Sequence, residues 1–338
     1  MITYVFGAGA SRHAGYPLAD ELGNALRDWI CRNKSTEHEY RIHIDQLHEL
    51  YGGLGNLENI LTDLDECAPG SLAAKLERPI RANILRDLRL SIREFFNDLR
   101  EKPAALYTHL ARERIQPGDV LITFNYEAAC ERQLKQAGLW EIGDGYGFSL
   151  GLTGIPPSKV KILKLHGSTN WWGLIFGGRT GFGQASDSLG PRPTIFFLPD
   201  LEFLGYPGEF RDPQCAGIDS AAGHLAIIMP TRHKRFFEQT SFGREWEPFW
   251  EDLWRQAEGT LQSSGKIVII GYGMADADEK ARELLLEKSN RNAQIEIWCG
   301  GRSSVICNEF AAKGFQQVKT SGKGQFEDFL GLGHCIGE

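Results

Sequence analysis

Paired cysteines are missing from this chain. Its seven cysteines, at positions 31, 67, 130, 215, 299, 307 and 335, stand singly, are odd in number and never form Cys-x-x-Cys. That excludes the usual zinc-ribbon spacings and argues against a disulfide framework, so a reducing compartment is expected. An excess of basic residues is missing too. The formal net charge is −7, a balance that gives no support to binding a phosphate backbone, and nucleic acid is not expected as a partner. No stretch reaches the ~18 apolar residues of a spanning helix, and Gly7 interrupts the only early apolar run. Neither a membrane span nor a signal segment is therefore expected, and the expected location is cytoplasmic. No internal repeat is visible. What is present is ordinary: 338 residues, 42% hydrophobic and 24% charged, enough for one large domain or one domain plus an insert.

The most informative stretch comes first. Ile2 to Phe6 is a short apolar run rich in β-formers, Gly7-Ala-Gly-Ala-Ser11 is uniformly small, and a helical pattern begins near Leu18, with Leu22, Leu26, Trp29 and Ile30 following. Strand, small-residue turn and helix in that order bring backbone close to a ligand and aim helix-terminal N–H groups at it, which suits a phosphate. The competing reading is a tight turn that lets strand and helix pack closely. A dinucleotide fingerprint wants a third glycine where this chain has Arg12. That arginine either reaches a pyrophosphate or neutralises Asp20 or Glu21.

From Asn33 to Ile115 the pattern is helical and strongly charged, with breaks at Gly52-Gly53, Pro69-Gly70 and Pro103. Residues 33–116 therefore read as a helical insert, with 1–32 and 117–338 forming the main domain. In the main domain, buried-type strands are expected at Val120–Phe124, Val160–Leu165, Leu225–Met229, Ile267–Ile270 and Ile295–Trp298, and a last one at Phe315–Val318. Helical patterns follow at Ala128–Ala137, Trp246–Leu261, Asp278–Lys288 and Phe326–Leu330. Short apolar runs alternating with helices predict an α/β fold, a parallel sheet with helices on both faces. Residues 172–223 are rich in Gly, Pro and aromatics without sustained period, as expected of an irregular functional loop.

In an open parallel sheet, ligands bind at the carboxyl ends of strands. Four such ends carry distinctive residues: Gly7 to Ser11, Thr123-Phe-Asn-Tyr-Glu127, Leu165-His-Gly-Ser168 and Gly271-Tyr-Gly-Met-Ala-Asp-Ala-Asp278. As an ordered set, they resemble the motifs of the sirtuin-like superfamily. More closely, they resemble bacterial sirtuin-like domains of antiphage defence, which hydrolyse NAD. The resemblance covers residues 1–30 and about 117–330.

The resemblance implies a Rossmann-like sheet with NAD as substrate and the turn at Gly7, Ala8, Gly9 and Ser11 against the pyrophosphate. It implies catalytic roles for Asn125, beside the nicotinamide ribose, and for His166, on the ribose hydroxyls. Thr123, Glu127, Gly271, Tyr272, Asp276 and Asp278 are implied around the nucleotide, with the acidic pair near its second half. Two departures matter. Deacetylating relatives carry a four-cysteine zinc module between the His-Gly motif and the later nucleotide-binding strand, where this chain has only Cys215; no metal is expected. The segment His13-Ala-Gly-Tyr-Pro-Leu-Ala-Asp20 replaces the Pro-Asp-Phe-Arg type segment of those relatives. Both departures point away from acetyl-lysine chemistry.

Cleaving nicotinamide from ribose builds positive charge on the sugar and releases a neutral leaving group, so no strong general acid is required. A polar group facing the reacting carbon, an oriented water and a base near neutral pH suffice, and Asn125 and His166 supply them. Glu127 either favours the cation or is a salt-bridged strand-end carboxylate. Trp171-Trp172 and Tyr272 either stack on the ligand or pack under neighbouring chain. The expected activity is NAD hydrolysis to nicotinamide and ADP-ribose, with NAD depletion in antiphage defence as the expected role. Its restraint would come from self-association or a regulatory partner, for example an ATPase or a phage-sensing subunit. Two alternatives share the same pocket: a sensor that binds NAD or ADP-ribose without turnover, and an ADP-ribosyltransferase.

Overall fold

The computed structural model describes residues 1–100, 102–149, 154–174, 194–197, 223–231, 243–275, 278–320 and 323–332. Six parallel strands form the central sheet: β1 (Ile2–Phe6), β2 (Val120–Thr123), β3 (Lys161–Lys164), β7 (Lys266–Ile270), β8 (Gln294–Trp298) and β9 (Val318–Lys319). The other three strands, β4 (Gly167–Leu174), β5 (Thr194–Phe197) and β6 (Gly223–Ile227), form a separate antiparallel sheet. In the parallel sheet the spatial order is β3-β2-β1-β7-β8-β9. Renumbered within that sheet this is 3-2-1-4-5-6, the order of doubly wound dinucleotide-binding folds. The chain is thus an α/β protein with a Rossmann-like sheet flanked by helices.

The order follows from the residues. In β1 and β7, every residue after the first is buried, as in strands covered on both faces, and their Val, Ile, Tyr and Phe side chains suit that pleated interior. Register is matched across the centre, with Phe6 opposite both Thr123 and Ile270. Consequently β1, β2 and β7 end level with one another. The amide of Gly7 donates to Ile270 O at 3.1 Å, that of Phe124 to Phe6 O at 3.1 Å and that of Leu165 to Thr123 O at 3.0 Å.

Between β1 and β2 run a 3-10 helix (Ala8–Ala14) and helices α1 (Leu22–Asn33), α2 (Glu39–Tyr51), α3 (Leu57–Glu66), α4 (Arg78–Leu99) and α5 (Ala105–Glu113). Pro79 sits in the first turn of α4, where its missing N–H is harmless. The first helix packs on α2 and α4, whereas α5 packs on α6 (Ala129–Gln136), α10 (Phe326–Leu330) and the 3-10 helix. These helices and the sheet share one apolar core, for the ring of Phe96 meets Tyr16 at 5.3 Å and Tyr126 at 6.4 Å. The remaining helices are α7 (Gly243–Ser263), α8 (Glu279–Leu286) and α9 (Ser303–Ala312).

Several sequence expectations shift. The strand expected at Leu225–Met229 is β6, Gly223–Ile227, and it pairs antiparallel with β4 rather than joining the parallel sheet. Helix α1 begins at Leu22, not Leu18, because a 3-10 turn and a loop occupy Ala8 to Glu21. Helix α9 had no counterpart in the sequence reading. Three pieces of the 172–223 stretch, Trp172–Leu174, Thr194–Phe197 and Gly223 at the start of β6, are strand, and the rest lies outside the described residues. Five cysteines (31, 67, 130, 299 and 307) are free thiols. No helix among the described residues is long and apolar enough to cross a membrane.

Candidate functional site

The four distinctive motifs follow four neighbouring strands, β3, β2, β1 and β7, at the carboxyl edge of the sheet. That edge includes the β1/β7 switch point, where the chain reverses its direction of winding and a crevice opens. A cavity of about 1000 Å³ lies there, at the upper end of the size range of small-molecule sites. Gly7, Ala8, Gly9, Ser11, Arg12, Asn125, Glu127, His166, Gly271 and Tyr272 all line it. Thr123 stands behind, its Oγ1 accepting from the Asn125 amide at 3.0 Å. Asp276 lies outside the described residues.

The two glycine turns hold each other. A Cβ on Gly7 would come within 2.6 Å of Tyr272 Cα, and one on Gly9 within 2.9 Å of Gly271 Cα. Gly271 itself has φ +64° and faces the Ala10 backbone, a conformation and a contact that suit glycine alone. Gly9 N–H donates to Gly271 O at 2.9 Å, and Ala10 N–H to Gly7 O at 2.9 Å. Gly7, Gly9 and Ala10 therefore spend their amides on the protein. Both readings of the small-residue turn meet here, since it packs tightly and also lines the cavity.

Asn125 is buried at the end of β2. Its Nδ2 donates to Gly7 O at 3.0 Å and to Ser11 Oγ at 3.1 Å. Because a peptide carbonyl only accepts, the amide's NH2 end must face Gly7, leaving Oδ1 as the end available to the cavity. Beneath it, Ser11 Oγ donates to Glu127 and meets Tyr107 OH at 2.8 Å. Burial, outweighing the nearby Lys164 ammonium, raises the Glu127 carboxyl above its ordinary value. Lys164 is itself fully buried, donating to Glu127 O at 2.6 Å and paired with Glu131 at 2.7 Å.

His166 follows β3, and its carbonyl accepts from Ile228 N–H at 2.8 Å. Its ring lies 5.1 Å from Phe124, which stacks on Tyr272 at 4.5 Å. Burial raises the Tyr272 hydroxyl well above its usual range, with the Asp278 carboxylate adding to the shift. That hydroxyl donates to Asp278 Oδ2 at 3.1 Å, and His166 Nε2 stands 3.8 Å from the same oxygen.

The open alternatives divide. Arg12 pairs with Glu21 at 2.9 Å while bordering the cavity. Trp171 is fully buried and packs on Tyr146 at 4.9 Å and Phe148 at 5.4 Å, so it belongs to the core. Tyr272 packs on Phe124 and also lines the cavity. Sequence reasoning missed other parts of the wall: Glu58 on α3, Phe96 on α4, and Trp298 to Arg302 at the end of β8. Cys299-Gly-Gly-Arg302 is a strand end with two glycines and could have been found on the same argument as the others. Glu58 and Phe96 lie on helices far away in sequence and carried no signal.

No group of three or more His, Cys, Asp or Glu side chains placed to hold a metal occurs among the described residues. No protein-family model and no curated protein matches the chain. Fold and site together define a Rossmann-like α/β protein with a switch-point cavity whose walls carry an oriented amide, an imidazole and a buried carboxylate.

Proposed function

We propose that the chain is an NAD glycohydrolase, which cleaves the bond between nicotinamide and ribose to give nicotinamide and ADP-ribose. The observation that carries this reading is that Asn125 and His166, from two different strand ends, line one cavity with both glycine turns. In the cleavage, the C1′–N bond breaks with its electron pair going to the pyridinium nitrogen, so nicotinamide leaves neutral. Water oxygen then bonds to C1′ and loses a proton. Asn125 Oδ1 presents the negative end of an amide dipole, oriented by its hydrogen bonds to Gly7 and Ser11, to the cation that develops or to the attacking water. His166 carries an imidazole nitrogen suited by chemistry to take the water's proton. Burial beside Phe124 and Trp254 limits the contact of the imidazole with bulk water.

The sirtuin-like resemblance supports the same reading and extends it to NAD depletion in antiphage defence, controlled by self-association or a regulatory partner. The deciding experiment is NAD consumption by the purified protein at low and raised concentration, with products separated chromatographically. Nicotinamide and ADP-ribose formed by the wild type and lost in Asn125→Ala and His166→Ala are expected. Turnover that persists in Asn125→Ala overturns the mechanism, and radiolabel from NAD appearing on a macromolecule replaces hydrolysis with transfer.

A further inference from the structure

Asp278 immediately precedes α8, at the position where an aspartate ordinarily accepts a hydrogen bond from the first turn of the helix. Here it makes no such cap. The residue is only 5% exposed and lines the cavity. One oxygen, Oδ2, accepts from Tyr272 OH at 3.1 Å. The other, Oδ1, is buried with no hydrogen-bond partner among the described residues. Leaving a buried carboxylate oxygen without a donor is costly, and the group calls for a partner that a ligand or an ordered water can supply.

The surroundings narrow what the missing donor is. His166 Nε2 lies 3.8 Å from Oδ2, too far for a hydrogen bond and close enough for one small polar group to serve both residues. The stacked rings of Phe124 and Tyr272 supply a flat apolar wall beside them. A sugar fits that combination, with its C–H face on the rings and its hydroxyls on the carboxylate and imidazole. The terminal torsion of an aspartate is broad and roughly two-fold, so turning Oδ1 toward an entering hydroxyl needs little rearrangement.

We infer that Asp278 is a substrate-binding residue, taking a hydroxyl of the ribose that carries the scissile bond and holding it against His166. The inference rests on the NAD reading above and moves Asp278 from the second half of the nucleotide to the reacting half. An asparagine at this position has one acceptor oxygen in place of two, and Tyr272 competes for it. Asp278→Asn therefore replaces the charged acceptor facing the ligand's hydroxyl with a neutral amide, weakening that hydrogen bond while keeping the side chain's size.

The test is calorimetric titration with ADP-ribose, which carries the distal ribose, and with ADP, which lacks it. In Asp278→Asn, affinity for ADP-ribose is expected to fall about tenfold to a hundredfold, the range for a hydrogen bond to a charged group, with ADP unchanged. Adding Tyr272→Phe frees the asparagine oxygen and is expected to restore part of the ADP-ribose affinity, a rescue that a purely structural role would not produce. Unchanged ADP-ribose binding, or equal weakening of both nucleotides, overturns the inference. A wild type that binds neither nucleotide overturns the NAD reading and this inference with it. A wild type that binds both without releasing nicotinamide from NAD overturns only the hydrolase.

Discussion

The side-chain amide of Asn125 donates to the carbonyl of Gly7 across 3.0 Å, tying the end of the second strand to the turn after the first. One hydrogen bond thus orients a candidate catalytic group and joins two motifs that are far apart in sequence. Asparagine is required for polarity as much as for size. An aspartate there would set a carboxylate oxygen against the Gly7 carbonyl, two acceptors facing each other. Asn125→Asp is expected to destabilise the fold more than the smaller Asn125→Ala, which itself costs about 1–3 kcal/mol. Urea unfolding of both variants checks this order, and an aspartate variant as stable as wild type would reverse the amide's assigned orientation.

Glu127 makes stability depend on pH. Its carboxyl titrates above the ordinary value of 4.5 because burial disfavours the charge. The folded state therefore holds that proton more tightly than the unfolded state. Its contribution is fully present below 4.5 and is lost as pH rises through the raised folded value. Glu127→Gln keeps an oxygen to accept from Ser11 and has no charge to bury. The stability of this variant relative to wild type should increase as pH climbs through that window, measured by thermal melts across a pH series. A constant difference would mean that the carboxyl does not titrate differently on folding.

The Lys164–Glu131 pair, with side chains 0% and 1% exposed at 2.7 Å, is a buried ion pair beneath the site. Lys164→Met removes one partner and leaves a carboxylate uncompensated, at a cost of about 3–5 kcal/mol. Combining it with Glu131→Gln should recover a large part of that loss. Chemical denaturation of the two single variants and the double variant gives the coupling, and additive losses would contradict a direct pair.

The two glycines of the β7 turn differ sharply. Gly271 has φ +64°, and a Cβ there would overlap the Ala10 backbone, whereas a Cβ on Gly273 meets nothing within 4 Å. Gly271→Ala should cost more than about 2 kcal/mol and weaken nucleotide binding, since it forces the two turns apart. Gly273→Ala should stay within about 0.5 kcal/mol. Equal effects in melting and nucleotide titration would show that the turn-to-turn contact does not shape the site.

Much of this was legible in the sequence. Strands β1, β2 and β7 declared themselves as short runs of Val, Ile, Leu and aromatic residues, because a strand buried on both faces shows little polar side; β3 and β8 were legible from their Ile and Leu despite the buried Lys164 and Glu296. Helix α10, Phe326–Leu330, matches the pattern read for those residues, and α3, Leu57–Glu66, lies within the helical stretch read from Asn33 to Ile115. The strand at Gly223–Ile227 could be seen but not placed, since an apolar run does not announce whether its partner lies parallel or antiparallel. Helix α9 stayed hidden because its stretch lacks a marked apolar stripe, with only Ser303, Ile306 and Phe310 buried.

By itself, the sequence determined the local alternation of strand and helix, the single, scattered spacing of its cysteines and the four strand ends that carry polar residues. These are properties of neighbouring residues: side-chain period, β-branching, backbone freedom at glycine. Tertiary structure decided which strand ends stand side by side, because order in a sheet is set by packing between segments far apart in sequence, as where Phe6 pairs with both Thr123 and Ile270. It decided that Gly7 and Gly9 press on Gly271, that Phe96 of α4 walls the cavity and that Trp171 belongs to the core. Above all, it decided that Asp278 turns away from its own helix toward His166. The Tyr272 hydroxyl that holds it lies six residues back in the same turn, but His166 arrives from β3, a different strand of the sheet.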